Sequence, residues 1–233
     1  MKLAAAVLAF VFPMIVSALI RQPGAAAGWR LAQRSSSLLQ AAVPHVLVPI
    51  ANGSEEIEAV TIIDTLVRGG VKVTSATVHA GDSLQVTCSR GVKLVADCRI
   101  TDVLSTQFDM IVCPGGMPGS EHLRDSVALT EMLNLQQKRG GMIGAICAAP
   151  AVVLKTHGFL SPATAATGYP ADKFKQAIGD GYVADEQIVV SGNIVTSQGP
   201  GTAMAFSLKL VEVLVGREKA AAVAKEMLTP LPK

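Results

Sequence analysis

From residue 45 onward the chain alternates between short apolar runs and longer stretches in which apolar residues recur at helical spacing. The short runs predict strands at 45–50, 71–78, 108–116 and 141–146, and a small hairpin or two short strands on either side of Arg90-Gly91. Two further short strands are predicted about the Gly192-Asn193 turn. The helical spacing predicts helices at 54–70, 126–140, 148–158, 202–216 and 217–227. This order predicts an α/β protein with an open parallel sheet covered by helices.

The first predicted helix carries its own start and stop signals. Ser54 is predicted to cap it, Glu55 and Glu56 lie in the first turn where the helix dipole favours acidic side chains, and Gly69 and Gly70 end it. Glu58 shares a helix face with Ile62, four residues later, and Ile62 is expected to face the sheet. The spacing therefore predicts an inward-facing Glu58, although a glutamate on a helix more commonly lies at the surface.

Residues 1–43 differ from the rest and predict a cleavable targeting leader, followed by one domain over 44–233. Lys2 precedes an apolar run over 3–20, and an Arg- and Ser-bearing stretch follows; no acidic residue occurs before Glu55. The first part is typical of a secretory signal and the second of a transit peptide. We expect delivery to an organelle, plastid or mitochondrion, with the secretory pathway as the alternative. A retained membrane anchor is disfavoured by Pro13 within the apolar run.

Charge and cysteine content exclude several classes for the remainder. The leader holds four of the 20 basic residues and none of the 18 acidic ones, so the rest of the chain has a net charge of −2. No basic stripe with interleaved aromatic residues predicts nucleic-acid binding, and no membrane association is expected after leader removal. The four cysteines are spaced irregularly, unlike a disulfide framework or a metal site. No metal or other cofactor is predicted.

Cys147 lies in GAICAAP (144–150), between a predicted strand and a predicted helix. That order is the one found in a nucleophile elbow, where a strained turn requires small neighbours, here Ala145, Ala148 and Ala149. A helix N-terminus is expected to lower the pKa of the Cys147 thiol. A small, buried, unreactive thiol fits the spacing nearly as well, because free cysteine is among the most buried residue types.

Several motifs in the same order make the chain similar to the ThiJ/PfpI superfamily, and within it to the branch of the parkinsonism-associated protein deglycase, most closely its bacterial YajL-like members. The motifs are GSEEIEAV, VTCSRGVKL, VCPGGMPGSEHLRDS, GAICAAPAVVL and IVTSQGPGTAMAF. The resemblance implies a flavodoxin-like fold, with helices on both faces of the sheet, and a homodimer. It also implies that Cys147 is the reactive residue and that Glu58 lies beside it.

The resemblance further implies roles for a glycine loop and a nearby tyrosine. Gly115 and Gly116 would let the backbone approach the site, and the N–H groups of Gly116 and Ala148 would donate toward a substrate oxygen. The histidine usual in the deglycase site is replaced by Tyr169, a poor base near neutral pH. The protease-like branch has a histidine directly after the cysteine, where this chain has Ala148. Peptidase activity is therefore disfavoured.

Two functions follow from these residues. The first is a cofactor-independent hydrolase or lyase of the deglycase or glyoxalase III type. In it the Cys147 thiolate attacks a small dicarbonyl, methylglyoxal or glyoxal, or its early adduct on a glycated protein, and Glu58 moves the proton. The second is a redox sensor and stress-responsive chaperone that works through oxidation of Cys147 to a sulfinate, without turnover. A carboxylic acid that stays protonated beside the sulfur would serve both functions, because it lowers the pKa of the cysteine while its own rises.

Overall fold

The computed structural model describes residues 42–232, and its centre is a seven-stranded sheet. The strands are β1 (His45–Ile50), β2 (Lys72–Thr77), β3 (Gln85–Thr87), β4 (Lys93–Val95), β5 (Cys98–Arg99), β6 (Met110–Cys113), β7 (Met142–Ile146), β8 (Ile188–Ser191) and β9 (Ile194–Ser197). The order across the sheet is β5-β2-β1-β6-β7-β9-β8, and β3 pairs with β4 in a separate antiparallel hairpin. All neighbours in the sheet are parallel except β8 and β9. The predicted flavodoxin-like open sheet is confirmed.

Helices surround this sheet. They are α1 (Glu56–Arg68), α2 (Gly119–Asp125), α3 (Val127–Lys138), a π-helix (Pro150–Lys155), α4 (Asp172–Ile178), α5 (Ala203–Val215) and α6 (Arg217–Glu226). The five predicted helices are all present and each is shorter than predicted; the one predicted at 148–158 is the π-helix. The two seven-residue helices α2 and α4 have no counterpart among the sequence predictions.

The core lies on the central strands and explains why they are such apolar runs. Five of the six residues of β1 and all four of β6 are buried. Strands of a parallel sheet are covered on both faces, so both sets of side chains must be apolar. Ile62 and Leu66 of α1 are fully buried in the same core, as the spacing predicts.

The topology brings three loops to one edge of the sheet. β1 pairs with β2 on one side and with β6 on the other, so the chain changes direction across the sheet at β1. β6 in turn pairs with β7. The loops that follow β1, β6 and β7 therefore meet at the carboxyl ends of these strands, which is where open α/β sheets bind ligands.

The predicted leader lies outside the described residues. Across residues 42–232, no helix combines the length and the apolar character needed to cross a membrane.

Candidate active site

Cys147 occupies a strained turn directly after β7. Its φ is 63°, a left-handed conformation that non-glycine residues rarely adopt and that costs about 1–3 kcal/mol. Two backbone hydrogen bonds hold it there: Cys147 N–H donates to the Ser197 carbonyl at 3.0 Å, and the Cys147 carbonyl accepts the Tyr169 N–H at 2.8 Å. The residue is 9% exposed, and Ala148 and Ala149 after it are buried. The turn thus has the geometry expected of a nucleophile elbow.

Glu58 lies at the start of α1, and Glu55, not Ser54, is the cap of this helix. The Glu55 carboxylate accepts the Glu58 N–H at 2.8 Å, whereas the Ser54 hydroxyl accepts the Ala51 N–H at 3.0 Å. The predicted Ser54 cap is therefore wrong, because the Ser54 hydroxyl accepts a hydrogen bond from a residue that precedes the helix. The first turn of α1 directs Glu58 inward, where its side chain is fully buried as the spacing with Ile62 predicts.

The two oxygens of the Glu58 carboxyl group differ in their hydrogen bonding. Oε2 accepts the Gly115 N–H at 2.7 Å, while Oε1 is buried and has no hydrogen-bonding nitrogen or oxygen among the described residues. The carboxyl group also interacts with the side chain of Cys147. Oε1 therefore has no hydrogen bond that would prevent it from carrying the proton of a protonated carboxyl group.

The absence of side chains at Gly115 and Gly116 lets these groups meet. A Cβ on Gly115 would lie 2.5 Å from the Cys147 Cβ and 2.8 Å from Glu58 Oε2. Gly116 has a φ of 88°, and a Cβ there would collide with the backbone of the loop after β1. The backbone N–H groups of Gly116 and Ala148 both interact with the Cys147 sulfur. The structure thus brings five of the six predicted site residues together around one sulfur atom.

Burial changes the acidity of both side chains. It raises the pKa of Glu58 to about 7, with the Gly115 N–H acting in the opposite direction. Burial and, second, the negative charge of Glu58 raise the pKa of Cys147 to about 12, against the Gly116 and Ala148 N–H donors. The predicted rise in the pKa of Glu58 is confirmed. The predicted fall in the pKa of Cys147 is wrong when Glu58 is ionised.

The two groups are close enough to titrate as a pair. The first proton leaves the pair above the ordinary pKa of a carboxyl group, and the second is held above the ordinary pKa of a thiol. Between these two steps the pair carries one negative charge and one shared proton. A thiolate exists in this form when the proton resides on Glu58, which then donates to the sulfur.

Cys147 opens onto a cleft of about 330 Å³. The cleft is lined by Glu55, Ser89, Arg90, Gly116, Met117, Cys147, Ala148, Tyr169, Phe174 and Pro200. Tyr169, the sixth predicted residue, lines its wall with 45% of its surface exposed, and its ring meets that of Phe174 edge-on at 6.2 Å. Sequence reasoning missed Arg90 and Phe174 as cleft residues. The position of Arg90 at the tip of a predicted hairpin was the one available signal.

The four histidines contribute no base to this cleft. His79 and His122 pair edge-on at 5.0 Å, and His79 Nε2 accepts the Asn52 N–H. His157 Nε2 lies 2.8 Å from the Arg124 carbonyl, and His45 Nε2 lies 2.8 Å from the Thr74 hydroxyl. Each histidine is engaged away from the sulfur.

The remaining cysteines have no comparable surroundings. Cys88, Cys98 and Cys113 are free, and burial raises the pKa of Cys88 to about 11 and that of Cys113 to about 12. No group of three or more His, Cys, Asp or Glu residues within 42–232 is arranged to hold a metal ion.

An open α/β sheet that holds a strained cysteine beside a buried glutamate, with backbone N–H donors facing the sulfur, defines a class of thiol-based site without a histidine partner. The model of the DJ-1/PfpI family matches residues 44–213, and the chain belongs to this family. This confirms the resemblance to the ThiJ/PfpI superfamily and its deglycase branch. A particular closeness to bacterial YajL-like members stays a prediction.

Curated relatives match over most of the chain. Protein dj-1beta of Drosophila melanogaster is 43% identical over 182 residues, which cover 78% of this chain and 95% of the relative. The glutathione-independent glyoxalase DJR-1.2 of Caenorhabditis elegans is 40% identical, covering 78% and 94%. Protein DJ-1 homolog A of Arabidopsis thaliana is 43% identical, but this chain spans only 46% of its length.

Among solved structures, oxidised DJ-1 of Toxoplasma gondii superposes with a TM-score of 0.76 at 47% identity, covering 80% of this chain and 99% of the other.

Proposed function

We propose that the protein is a cofactor-independent cysteine enzyme of carbonyl-stress defence, acting on methylglyoxal, glyoxal or their early adducts on proteins. The observation that carries the proposal is the Cys147 sulfur, which meets the buried Glu58 carboxyl and two backbone donors at the floor of an open cleft. The relative from C. elegans that is named a glutathione-independent glyoxalase supports a reaction of this class.

The reaction begins with the Cys147 thiolate. Its sulfur bonds to the aldehyde carbon, and the carbonyl electrons move to the oxygen, toward the N–H groups of Gly116 and Ala148. Glu58 protonates that oxygen to give a hemithioacetal and, as a carboxylate, moves a proton from the former aldehyde carbon to the neighbouring carbonyl carbon. The hydroxyl proton passes to the neighbouring oxygen in the same rearrangement, so that the former aldehyde carbon becomes a thioester carbonyl and its neighbour carries the hydroxyl group. Water then cleaves the resulting thioester. Methylglyoxal plus water becomes lactate, and glyoxal becomes glycolate, with the thiol restored.

For an adduct on a protein, the thiolate displaces the amine or thiol from the adduct carbon: the bond from the Cys147 sulfur to that carbon forms, the carbon–nitrogen or carbon–sulfur bond to the protein breaks, and Glu58 gives its proton to the repaired amine or thiol. The proposal does not extend to peptide cleavage, because that reaction needs a group to protonate a poor amine leaving group, and no histidine stands beside Cys147.

Lactate formation from methylglyoxal tests the proposal. We expect turnover by the wild type, activity at the level of buffer in Cys147→Ala, and a loss of at least about 100-fold in Glu58→Gln, the scale of general acid–base catalysis. Cys113→Ala is the matched control, because it removes another buried thiol of the sheet. Full activity in Cys147→Ala would refute the proposal.

A redox sensor and stress-responsive chaperone is the second candidate, supported by the same donors and by the similarity to an oxidised DJ-1 structure. The thiolate takes one oxygen from hydrogen peroxide, releasing water, and the sulfenate takes a second oxygen from another peroxide in the same way. Intact mass would show the gain of two oxygen atoms, absent in Cys147→Ala. A stable sulfinate in a wild type with no turnover above buffer would exclude the enzyme and leave the sensor.

We propose a homodimer formed through an apolar surface made by α1 and the hairpin. Ile57, Val60 and Val67 are exposed on α1, and Val92 and Val95 are exposed at the hairpin. An apolar cleft of about 350 Å³ lies between these elements and includes Val60, Val67 and Val95. Clustered exposed apolar side chains are typical of a protein interface. In a symmetric dimer, this surface of one protomer would pack against the same surface of its partner.

We propose import into a plastid or mitochondrion with removal of residues 1–43. N-terminal sequencing of the mature protein and a fluorescent fusion to the leader test this, and a signal in the secretory pathway would support the alternative.

A further inference from the structure

The turn between β3 and β4, residues 89–92, forms one wall of the cleft. Ser89 and Arg90 line the cleft together with Tyr169 and Phe174. The turn is tied to the loop after β1 by one backbone bond, in which Ser89 N–H donates to the Ser54 carbonyl at 2.8 Å. Within the hairpin, Gly91 N–H donates to the Cys88 carbonyl at 3.0 Å, which leaves the Arg90 N–H and the Ser89 hydroxyl to a further partner.

That partner is Glu56, the residue after the cap of α1. Its carboxylate accepts the Arg90 N–H at 2.9 Å through Oε1 and the Ser89 hydroxyl at 3.0 Å through Oε2; the Val92 N–H lies farther away, at 3.5 Å. Glu56 is only 7% exposed. Its burial acts to raise its pKa, but the hydrogen bonds outweigh burial and lower it, so Glu56 is ionised. Short hydrogen bonds to an ionised carboxylate are strong and directional, so Glu56 fixes the position of the turn.

The turn carries a guanidinium group with no charged partner of its own. Arg90 Nη1 donates to the Ser89 carbonyl at 3.2 Å, and no carboxylate of the described residues lies within ion-pair distance of Arg90. The one acidic side chain on the cleft wall is Glu55, which is 8% exposed and already caps α1. A free guanidinium presents a planar set of donors that matches a carboxylate.

We propose that Glu56 is a positioning residue that fixes the 89–92 turn with Arg90 at the wall of the cleft that holds Cys147, so that the cleft selects carbonyl adducts that carry a carboxylate. The reaction on such adducts rests on the proposed function. The selectivity itself does not, because any electrophile that reaches Cys147 reports it.

Alkylation of Cys147 by iodoacetate and by iodoacetamide measures this selectivity. In both reactions the thiolate forms a bond to the CH₂ carbon and iodide leaves with the C–I electrons; the two reagents differ chiefly in the negative charge of the carboxylate. The observable is the ratio of the two rate constants at Cys147, followed by mass spectrometry. We expect Arg90→Gln to lower the iodoacetate-to-iodoacetamide ratio roughly fivefold, the scale of one partly screened charge at short distance.

Glu56→Gln separates positioning from plain electrostatics. If Glu56 acted only through its charge, its neutralisation would make the cleft more positive and raise the ratio. If Glu56 positions Arg90, the ratio falls as in Arg90→Gln while the iodoacetamide rate is unchanged, and Glu56→Asp restores part of it. Lys93→Gln is the matched control, since it removes an exposed cation of the same hairpin.

A ratio that stays at the wild-type value in Arg90→Gln, or that rises in Glu56→Gln, would overturn the proposal. Glu56→Gln could instead disturb the fold, which would show as a changed iodoacetamide rate; Arg90→Gln, which leaves the Glu56 carboxylate intact, then decides alone. If the wild type has no turnover, the proposed function fails while the alkylation ratios still test the positioning. With turnover, an adduct that carries a carboxylate should show a raised KM and an unchanged kcat in Glu56→Gln.

Discussion

Replacement of Glu58 by glutamine should change how the stability of the protein depends on pH. The folded state raises the pKa of Glu58 from 4.5 to about 7, chiefly by burial. Between these two values the folded chain holds a proton at Glu58 that the unfolded chain has released. The free energy of unfolding must therefore fall as the pH rises through this interval.

The size of the effect follows from the shift. A rise of about 2.5 in the pKa, at about 1.4 kcal/mol per pKa unit, corresponds to roughly 3 kcal/mol of unfolding free energy. This stability is present below pH 4.5 and is lost as the pH rises to about 7. Glu58→Gln keeps the shape and cannot titrate, so it lacks this loss. The difference in unfolding free energy, wild type minus Glu58→Gln, should decrease by about 3 kcal/mol across the interval, because the other titrating groups cancel.

Urea unfolding at a series of pH values measures this difference directly, provided that the m-value is the same for both proteins. Glu131→Gln, on the exposed face of α3, is the matched control for the chemical change from glutamate to glutamine. A flat or rising difference for Glu58→Gln would mean that the carboxyl group is not held protonated by burial, and the reasoning about the shared proton would fail.

Three further changes test the structure around the site. Gly116→Ala should destabilise the protein by more than about 2 kcal/mol in urea unfolding, because the left-handed backbone and the collision with the loop add together, whereas Gly140→Ala, with positive φ but open space, should cost about 1 kcal/mol. Loss of the α1 cap in Glu55→Ala should lower stability by about 1 kcal/mol in the same assay; no change would mean that the cap bond is not needed. Val60→Lys should convert a dimer to a monomer in sedimentation velocity, and an unchanged sedimentation coefficient would place the interface elsewhere.

The fold was predictable because its signals are local. Strands covered on both faces read as continuous apolar runs, and the inward position of Glu58 follows from its spacing to Ile62 on the same helix. The short helix α2 gave no such signal, because GSEHLRD has no apolar repeat long enough to recognise. Helix α4 is equally short, and its start, at Ala171, has no side-chain cap hydrogen bond.

Within the site, what escaped prediction depends on contacts between distant parts of the chain. Arg90 reaches the cleft because its backbone is bonded to Glu56, 34 residues earlier, and nothing in the local sequence of the hairpin encodes that bond. The direction of the Cys147 pKa is similar, since burial and a glutamate from another element decide it against the local helix end. The cap of α1 was misassigned because Ser54 bonds backward to Ala51.

The left-handed conformation of Cys147 lowers the stability of the fold but places the sulfur where a reaction requires it. Glycine at this position would relax the backbone, and an apolar residue in place of Glu58 would remove a buried acid, so both changes relieve costs that the folded chain now bears. In a mutational scan, selection for abundance should tolerate or favour such replacements, whereas selection for resistance to dicarbonyls should remove them. Lineages that lose the proposed activity on dicarbonyls are then expected to change at these two positions first, while the glycines that shape the loops persist.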